Sequence, residues 1–586
     1  MVEEILFEWT RGEPAPTIPS TARVMGRTWC WVDGRCDRLE ALARDAGLDS
    51  GAGAETLLLS LWQARDSRMM AAIEGDFAFA LFDGERLVLA RDAFGSRPLH
   101  YARSSSGLRV SSGPLALAKA SGDVRPDPVR LAAFALGLSE EGRASFFAGV
   151  EQVEAGHLSI FASPDAACHE RWWTPRFDAW RGTQADAVAL MDALLAQSID
   201  AVLGTADRPA LELSAGLDSN LLLGMASRAP RLVAISGGPA APFDPIPGNL
   251  VDETELARQA ATSLGVTFER VLAPPTGIMD AVRRFQWTER PINNPSNVGW
   301  MDAVHGAANE RGADVLIQGS QGNFTTSWTG EYGLSQAIAQ RDPANVLFEL
   351  GALARQDWRR AGSALKDSLR DRMPGWVVRA AIERSFAEWA ATRHVDPDHP
   401  ALAPLREREA SHRYLPSRWE HRAADPAERL RRWILSVDMG LFNRAIERRF
   451  GLTPRDPFAN RALVEASLSM PARLFRDHGG DRAIARRLLD PRLPQAIREG
   501  GPPAVQGAGW RHALLAERDA LVALVEWARG DRSMRGLFDL DAIAQRLASV
   551  PLQPVRRMTD YMAYRFDLAP SLTAIAFARW VEEQAT

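Results

Sequence analysis

Near residue 180 the hydrophobic period of this chain changes, and no single sheet type satisfies both halves. Up to about residue 175, stretches such as "TWCWVDGRC" and "GDFAFALFDGERLVLARD" alternate apolar and polar residues about Asp-Gly turns. That two-residue period is the mark of antiparallel hairpins. From 186 to about 320, apolar runs alternate with amphipathic stretches: "ALELS", "NLLLGMAS", "RLVAIS", "DETELARQAATSLG", "TFERVL", "NVGWMDAVHGAANERG" and "DVLIQG". Strands alternating with helices imply βαβ units and a parallel sheet covered on both faces. The Trp- and Arg-rich "ERWWTPRFDAWRG" at 170–182 marks the junction, and beyond 330 the chain reads as mostly helical, with a Pro-punctuated stretch at 391–404.

A chain of 586 residues exceeds what one core supports, so two or more domains are expected. A formal charge of -5 gives no general attraction to nucleic acid or to an anionic membrane. Lys119 and Lys366 are the two lysines among 69 basic residues, so any chemistry needing an active-site lysine has two candidates. Cys30, Cys36 and Cys168 make neither a disulfide framework nor a metal quartet. With no apolar N-terminal segment and no long uncharged stretch, the expected compartment is the cytoplasm.

"LELSAGLDSN" (211–220) reads as the end of a buried strand, a turn of small residues, and a helix start. By itself the hexapeptide "SAGLDS" is also an ordinary tight βα turn. Its backbone N–H groups and the following helix dipole nonetheless suit an anion. Ser214 and Ser219 hydroxyls beside the Asp218 carboxylate suit pyrophosphate with magnesium. The Walker lysine is missing, which excludes a P-loop NTPase. A cleaved pyrophosphate would mean an AMP-forming reaction.

These residues carry a resemblance. "LSAGLDSN" resembles the pyrophosphate loop of the asparagine synthetase superfamily, and "DETELARQAATSLG" (252–265) is similar to the next helix of that family. "VLIQGSQGN" (315–323) and "PRDPFANRALVEASLSMP" (454–471) resemble its two later segments. In the first half, "WVDGRCDRLEAL", "EGDFAFALFDGERLVLARDAFGSRPLHY", "FFAGVEQVEAGHL" and "RWW" are similar, in order, to a class II glutamine amidotransferase domain. The resemblance implies α/β with α+β architecture. An N-terminal antiparallel Ntn-hydrolase-like sandwich (1–175) would be followed by a PP-loop ATP pyrophosphatase domain (186–586). That second domain would end in a helical extension, Arg/Trp-rich at about 330–450.

The departures carry the functional expectation. The family's glutaminases place cysteine after the initiator methionine, where its thiol and free α-amine act together. Here Val2 stands there, and Cys30 and Cys36 read as structural, so no glutamine hydrolysis is expected. Ala215 replaces the loop's first glycine, tolerable where φ is negative. Asn323 replaces the second metal-binding aspartate, and Ser320 stands where lactam-forming relatives place a glutamate or tyrosine. Their C-terminal lysine has no match; Arg498 is near, and a guanidinium cannot serve as a base.

What the resemblance implies is an ATP-dependent ligase of the lasso-peptide macrolactam type. ATP would bind along Leu213, Ser214, Ala215, Gly216, Leu217, Asp218 and Ser219, with Ser236, Gly237, Gln318 and Gly319 nearby. Asp218 and Asn323 would hold Mg2+, Ser320 and Gln321 would line the reacting centre, and Arg498 would offset charge on the adenylate. The substrate would be a precursor peptide freed of its leader by a partner peptidase. An ammonia-using asparagine synthetase, a small-molecule β-lactam-type synthetase and an inactive peptide-binding homologue are the alternatives. In the Arg/Trp-rich region, tryptophans are expected to face inward and arginines to be solvated.

Overall fold

The computed structural model describes residues 4–585 apart from 139–141, 177, 241–242, 244–247, 331–332, 357, 371–373, 375, 378–386, 389, 412–429, 432–433, 478–479, 501–503, 506 and 556. Val2 therefore lies outside the described residues, as does the tryptophan-bearing "PSRWEHR" (416–422). Among the described residues no helix is long and apolar enough to cross a membrane.

The first half folds as two stacked antiparallel sheets. Ten strands build them: β1 (Leu6–Thr10), β2 (Arg23–Met25), β3 (Thr28–Asp37), β4 (Glu74–Phe82), β5 (Leu87–Arg91), β6 (His100–Ser104), β7 (Gly107–Ser111), β8 (Val150–Gln152), β9 (His157–Phe161) and β10 (Ala167–Arg171). One sheet has the order β1-β7-β6-β8 and the other β10-β9-β5-β4-β3-β2. The two-residue period decides the packing. On β4, Ala78, Ala80 and Phe82, with Trp29 of neighbouring β3, face Phe7 and Tyr101 of the opposite sheet. The alternate residues Phe77, Phe79 and Leu81 face helices that carry Leu58 and Trp62. Cys30 is fully buried on that helix-covered face, and burial pushes its thiol well up, which fits a structural cysteine.

The second half carries a parallel sheet of β11 (Pro209–Glu212), β12 (Val233–Pro239), β13 (Thr267–Ala273), β14 (Val315–Ile317) and β15 (Thr453–Arg455). Its order is β13-β12-β11-β14-β15. One face packs on α1 (Gln184–Leu203) and α2 (Leu217–Ala226), through Leu211, Ala234 and Ile317. The other packs on α3 (Val298–Glu310), through Ala210, Ile235 and Leu316. Helix α1 opens on a capping box, Thr183 accepting from the Asp186 N–H while the Asp186 carboxylate accepts from the Thr183 N–H. The chain leaves β11 toward β12 and later returns to β14 on the other side. The crevice at the C-terminal ends of β11 and β14 is thus a topological switch point, where open α/β sheets bind ligands.

The C-terminal helices end in Ala569–Glu583, which is almost wholly buried. It shares one core with residues 131–136 and Phe146–Phe147 of the first half. Polar contacts reinforce that union. Fully buried Arg91 donates to both oxygens of Asp438 at 2.7 and 2.8 Å, and to the carbonyls of Gly95, Arg97 and Val153. Burial works against the Asp438 anion, but the Arg91 guanidinium wins and holds its carboxyl below the ordinary value. Arg97 pairs with Glu447, Arg455 with Asp76 at 2.7 Å and Arg444 with Glu4, so several ion pairs cross between the halves.

The Arg/Trp-rich region departs from expectation where it is described. Trp358 and Trp376 are 72% and 76% exposed, whereas Arg393 and Arg444 are buried, paired with Asp567 and Glu4. Long aliphatic stems let arginine enter a core when a carboxylate meets its head.

Removing one partner of a buried ion pair leaves a lone buried charge. Arg91→Ala is therefore expected to lower unfolding free energy by about 3–5 kcal/mol, read as a fall in the denaturant midpoint.

Candidate active site

The turn between β11 and α2 is built by its own small side chains. Leu213 continues the sheet, donating its N–H to the Ile235 carbonyl at 2.9 Å. Ser214 and Ser219 hydroxyls lie 3.0 Å apart, and Ser214 also accepts the Gly216 N–H at 3.0 Å. Asn220 clamps the turn by donating to the carbonyls of Ser214 and Gly216. Ala215 is not among the residues with positive φ, and Gly216 has φ of −72°, so the alanine methyl is accommodated without backbone strain. The result is a short cradle at the N-terminus of α2, whose dipole favours an anion.

Asp218 stands in the first turn of α2. Burial pushes its carboxyl up to about 6, against the Ser327 hydroxyl that donates to it and the Arg482 guanidinium, both of which favour the anion. The loop after β14 closes directly over it. A Cβ on Gly322 would lie 2.3 Å from the Asp218 Cγ, and one on Gly319 would touch Asp218, Leu222 and Phe458. Gly322 is what allows the 318–323 backbone to meet α2, whereas a Cβ at Gly319 would make ordinary van der Waals contact.

The other expected residues sort by position. Ser236 is buried in the middle of β12, and Gly237 packs against Trp300 of α3. Leu217 is buried beneath the turn. Gln318 donates its side-chain amide to Glu212 at 2.9 Å, and the same Glu212 oxygen lies 2.6 Å from His305 Nε2. Ser320 and Gln321 line a small cavity of about 30 Å³ together with Asp76, Phe94, Met439 and Asp456. Asn323 is exposed one residue past Gly322. Arg498 stands apart: it is exposed and its Nε donates to the Leu493 carbonyl.

Three acidic or basic groups escaped the sequence reading. Glu253 accepts the Ala215 N–H at 2.8 Å, placing a carboxylate on a cradle amide, and burial raises its carboxyl. Arg482 faces Asp218 from the later helical region. Asp456 accepts from the Gln321 and Phe458 N–H groups at 2.8 and 2.9 Å; burial pushes it up to about 7, Asp218 and Asp76 adding to that. Glu253 and Asp456 sat inside stretches the sequence had already set apart, "DETELARQAATSLG" and "PRDPFANRALVEASLSMP", whereas nothing in the sequence points to Arg482.

Among the described residues no group of three or more His, Cys, Asp or Glu could cage a metal. That donor set still suits magnesium, which is held through one or two carboxylates plus substrate phosphates. Asp218, a carboxylate beside an anion cradle, fits that role in its ionised form.

A parallel-sheet domain with an anion cradle at its switch point, joined to an antiparallel sandwich, defines a two-part amidotransferase-and-synthetase architecture. The chain belongs to the asparagine synthase family, which residues 190–548 match, and residues 38–173 match the glutamine amidotransferase domain. It is similar to the carboxyethyl-arginine beta-lactam-synthase of Streptomyces clavuligerus, 30% identical over 178 residues. That match covers 30% of this chain and 33% of the relative, so the chain spans about a third of that protein's length. A glutamine phosphoribosylpyrophosphate amidotransferase from B. subtilis aligns at 11% identity over 43% of this chain and 48% of its own, with a TM-score of 0.18. An allosteric regulatory enzyme of purine biosynthesis aligns at 12% over 44% and 62%, also at 0.18. Scores this low carry no argument about fold.

The raised Asp218 value fixes a pH dependence. Protonation of Asp218 stabilises the ligand-free fold below about 6, and that stability is lost as pH rises through 6. Binding of Mg2+·ATP needs the anion and runs the other way. The thermal shift given by Mg2+·ATP is expected to grow from about pH 5 to about pH 7.5, and to lose that growth in Asp218→Asn.

Proposed function

We propose that the protein is an ATP-dependent, AMP-forming amide ligase that closes a macrolactam ring on a leaderless peptide, as in lasso-peptide biosynthesis. One observation carries the reading: the Ser214–Ser219 cradle and the Gln318–Asn323 loop meet over Asp218 at the switch point of an asparagine synthase domain. Partial similarity to a β-lactam synthase supports ring closure on an amine already in the substrate. The first half supports the same direction. Its cysteines read as structural: Cys30 is fully buried, and burial raises the thiols of both Cys30 and Cys36. We read it as a scaffold that hydrolyses no glutamine.

In this reading the phosphates lie on the 214–219 turn, with adenine toward Leu213, Ser236 and Gly237. Asp218, with Asn323 beyond Gly322, would hold magnesium, which supplies charge neutralisation for the leaving pyrophosphate. An Asp or Glu side chain of the peptide attacks the α-phosphorus and expels pyrophosphate. The N-terminal amine of the peptide, freed by a partner peptidase, then displaces AMP beside Ser320 and Gln321. Holding amine and acyl group together supplies much of the acceleration. Arg498, whose Nε donates to the Leu493 carbonyl, would offset charge on the adenylate in this reading.

Purified protein with ATP and Mg2+ is expected to release AMP with a leaderless precursor peptide that carries a ring-forming Asp or Glu, the peptide losing one water. Free aspartate with ammonia should yield no AMP, and glutamine no glutamate; AMP from aspartate would make the protein an ammonia-dependent asparagine synthetase. Asn323→Asp restores a second carboxylate and should lower the Mg2+ concentration needed for half-maximal AMP formation. An unchanged titration would remove Asn323 from the metal site.

A further inference from the structure

An amine that attacks an acyl group must lose a proton, and the residues assigned so far offer no acceptor. Ser320 carries a hydroxyl, Arg498 is exposed and bonded elsewhere, and His305 is buried on the α3 face against Glu212. Lys119 lies in the first half, on the helix Pro114–Ser121, and Lys366 on the helix Trp358–Arg370 of the Arg/Trp-rich region.

We infer that Asp456 is the general base of the ring-closing step. This rests on the ligase reading above. Asp456 forms part of the wall of the 30 Å³ cavity that holds Ser320 and Gln321. It also lines a second cavity of about 180 Å³ between the two halves, bounded by Arg35, Glu74, Trp172 and Arg461. Asp456 as a residue is half-buried and lines both of these spaces. Its orientation is fixed, because one oxygen accepts the Gln321 N–H and the other the Phe458 N–H. Each oxygen keeps a second lone pair for a proton.

The charges around it leave the carboxylate free to act. The guanidinium of neighbouring Arg455 is bound to Asp76 at 2.7 Å. Asp218 and Asp76 are the charged groups whose fields raise Asp456, and its value of about 7 suits proton transfer at neutral pH. In the step itself, the amine nitrogen forms the C–N bond, the acyl C–O bond to AMP breaks, and the nitrogen's proton passes to an Asp456 oxygen. The larger cavity, which Asp456 also lines, offers the proton a way out to water.

The test uses the full chain, Mg2+·ATP, the leaderless peptide of the preceding assay, and hydroxylamine as a competing nucleophile. Hydroxylamine is neutral near pH 7 and captures the acyl-adenylate as a hydroxamate without a base. The readout is the ratio of ring-closed peptide to hydroxamate, which does not depend on how much variant is folded. Asp456→Asn is expected to lower that ratio by about 100-fold or more, and Asp456→Glu to recover part of it. Raising the pH should also recover part of it in Asp456→Asn, as solution hydroxide replaces the lost acceptor. A ratio unchanged from wild type, or equal losses in the Asn and Glu variants, would overturn the assignment. Failure of the ligase reading looks different: wild type would then give neither AMP nor hydroxamate, and the base assignment would fall with it.

Discussion

The buried pair between Arg91 and Asp438 is the contact on which the working geometry depends. Arg91 ends a strand of the antiparallel sandwich, and Asp438 precedes the helix Gly440–Phe450. That helix leads straight into β15, whose last residue, Arg455, meets Asp76 and is followed by Asp456. Fixing Asp438 therefore fixes the edge strand of the parallel sheet and the carboxylate beside Gln321. Burying ions is costly, and such a pair survives because its remaining donors are used as well. Arg91 uses its donors on three carbonyls besides the carboxylate.

This explains why a sandwich that we read as hydrolysing no glutamine stays part of the molecule. Asp76, Phe94 and Ser96 of the sandwich complete the cavity that Ser320 and Gln321 open into. Without them that cavity would be open to bulk water, which competes with an amine for an activated acyl group. The sandwich is thus a wall of the site as well as a support for it.

Electrostatics across the site are set by burial more than by pairing. Asp218 and Asp456 are raised mainly because each is removed from water, to about 6 and about 7. A cation arriving with the phosphates would favour the Asp218 anion, while Asp456 is held by backbone N–H groups alone. Two carboxylates with different partners in one crevice can serve different roles, one toward a metal and one toward a proton.

The hydrophobic period was enough to read antiparallel hairpins, a parallel sheet and the turn at Ser214–Ser219, because strand pleat, helix repeat and tight turns are local consequences of neighbouring residues. Even Ala215 was legible in part, since only the sign of φ was open. The Arg/Trp-rich helices misled, for which way an amphipathic face points depends on what packs against it. Trp358 lies in solvent, while Arg444 is buried against Glu4, some 440 residues away in sequence. The same reason hid Asp456 and Glu253: each acts through an N–H donated from a distant loop, Gln321 for one and Ala215 for the other. Sequence alone determined the elements and the anion cradle; tertiary structure decided which carboxylates the cradle meets, because burial and partners across the switch point exist only once the chain has returned to it.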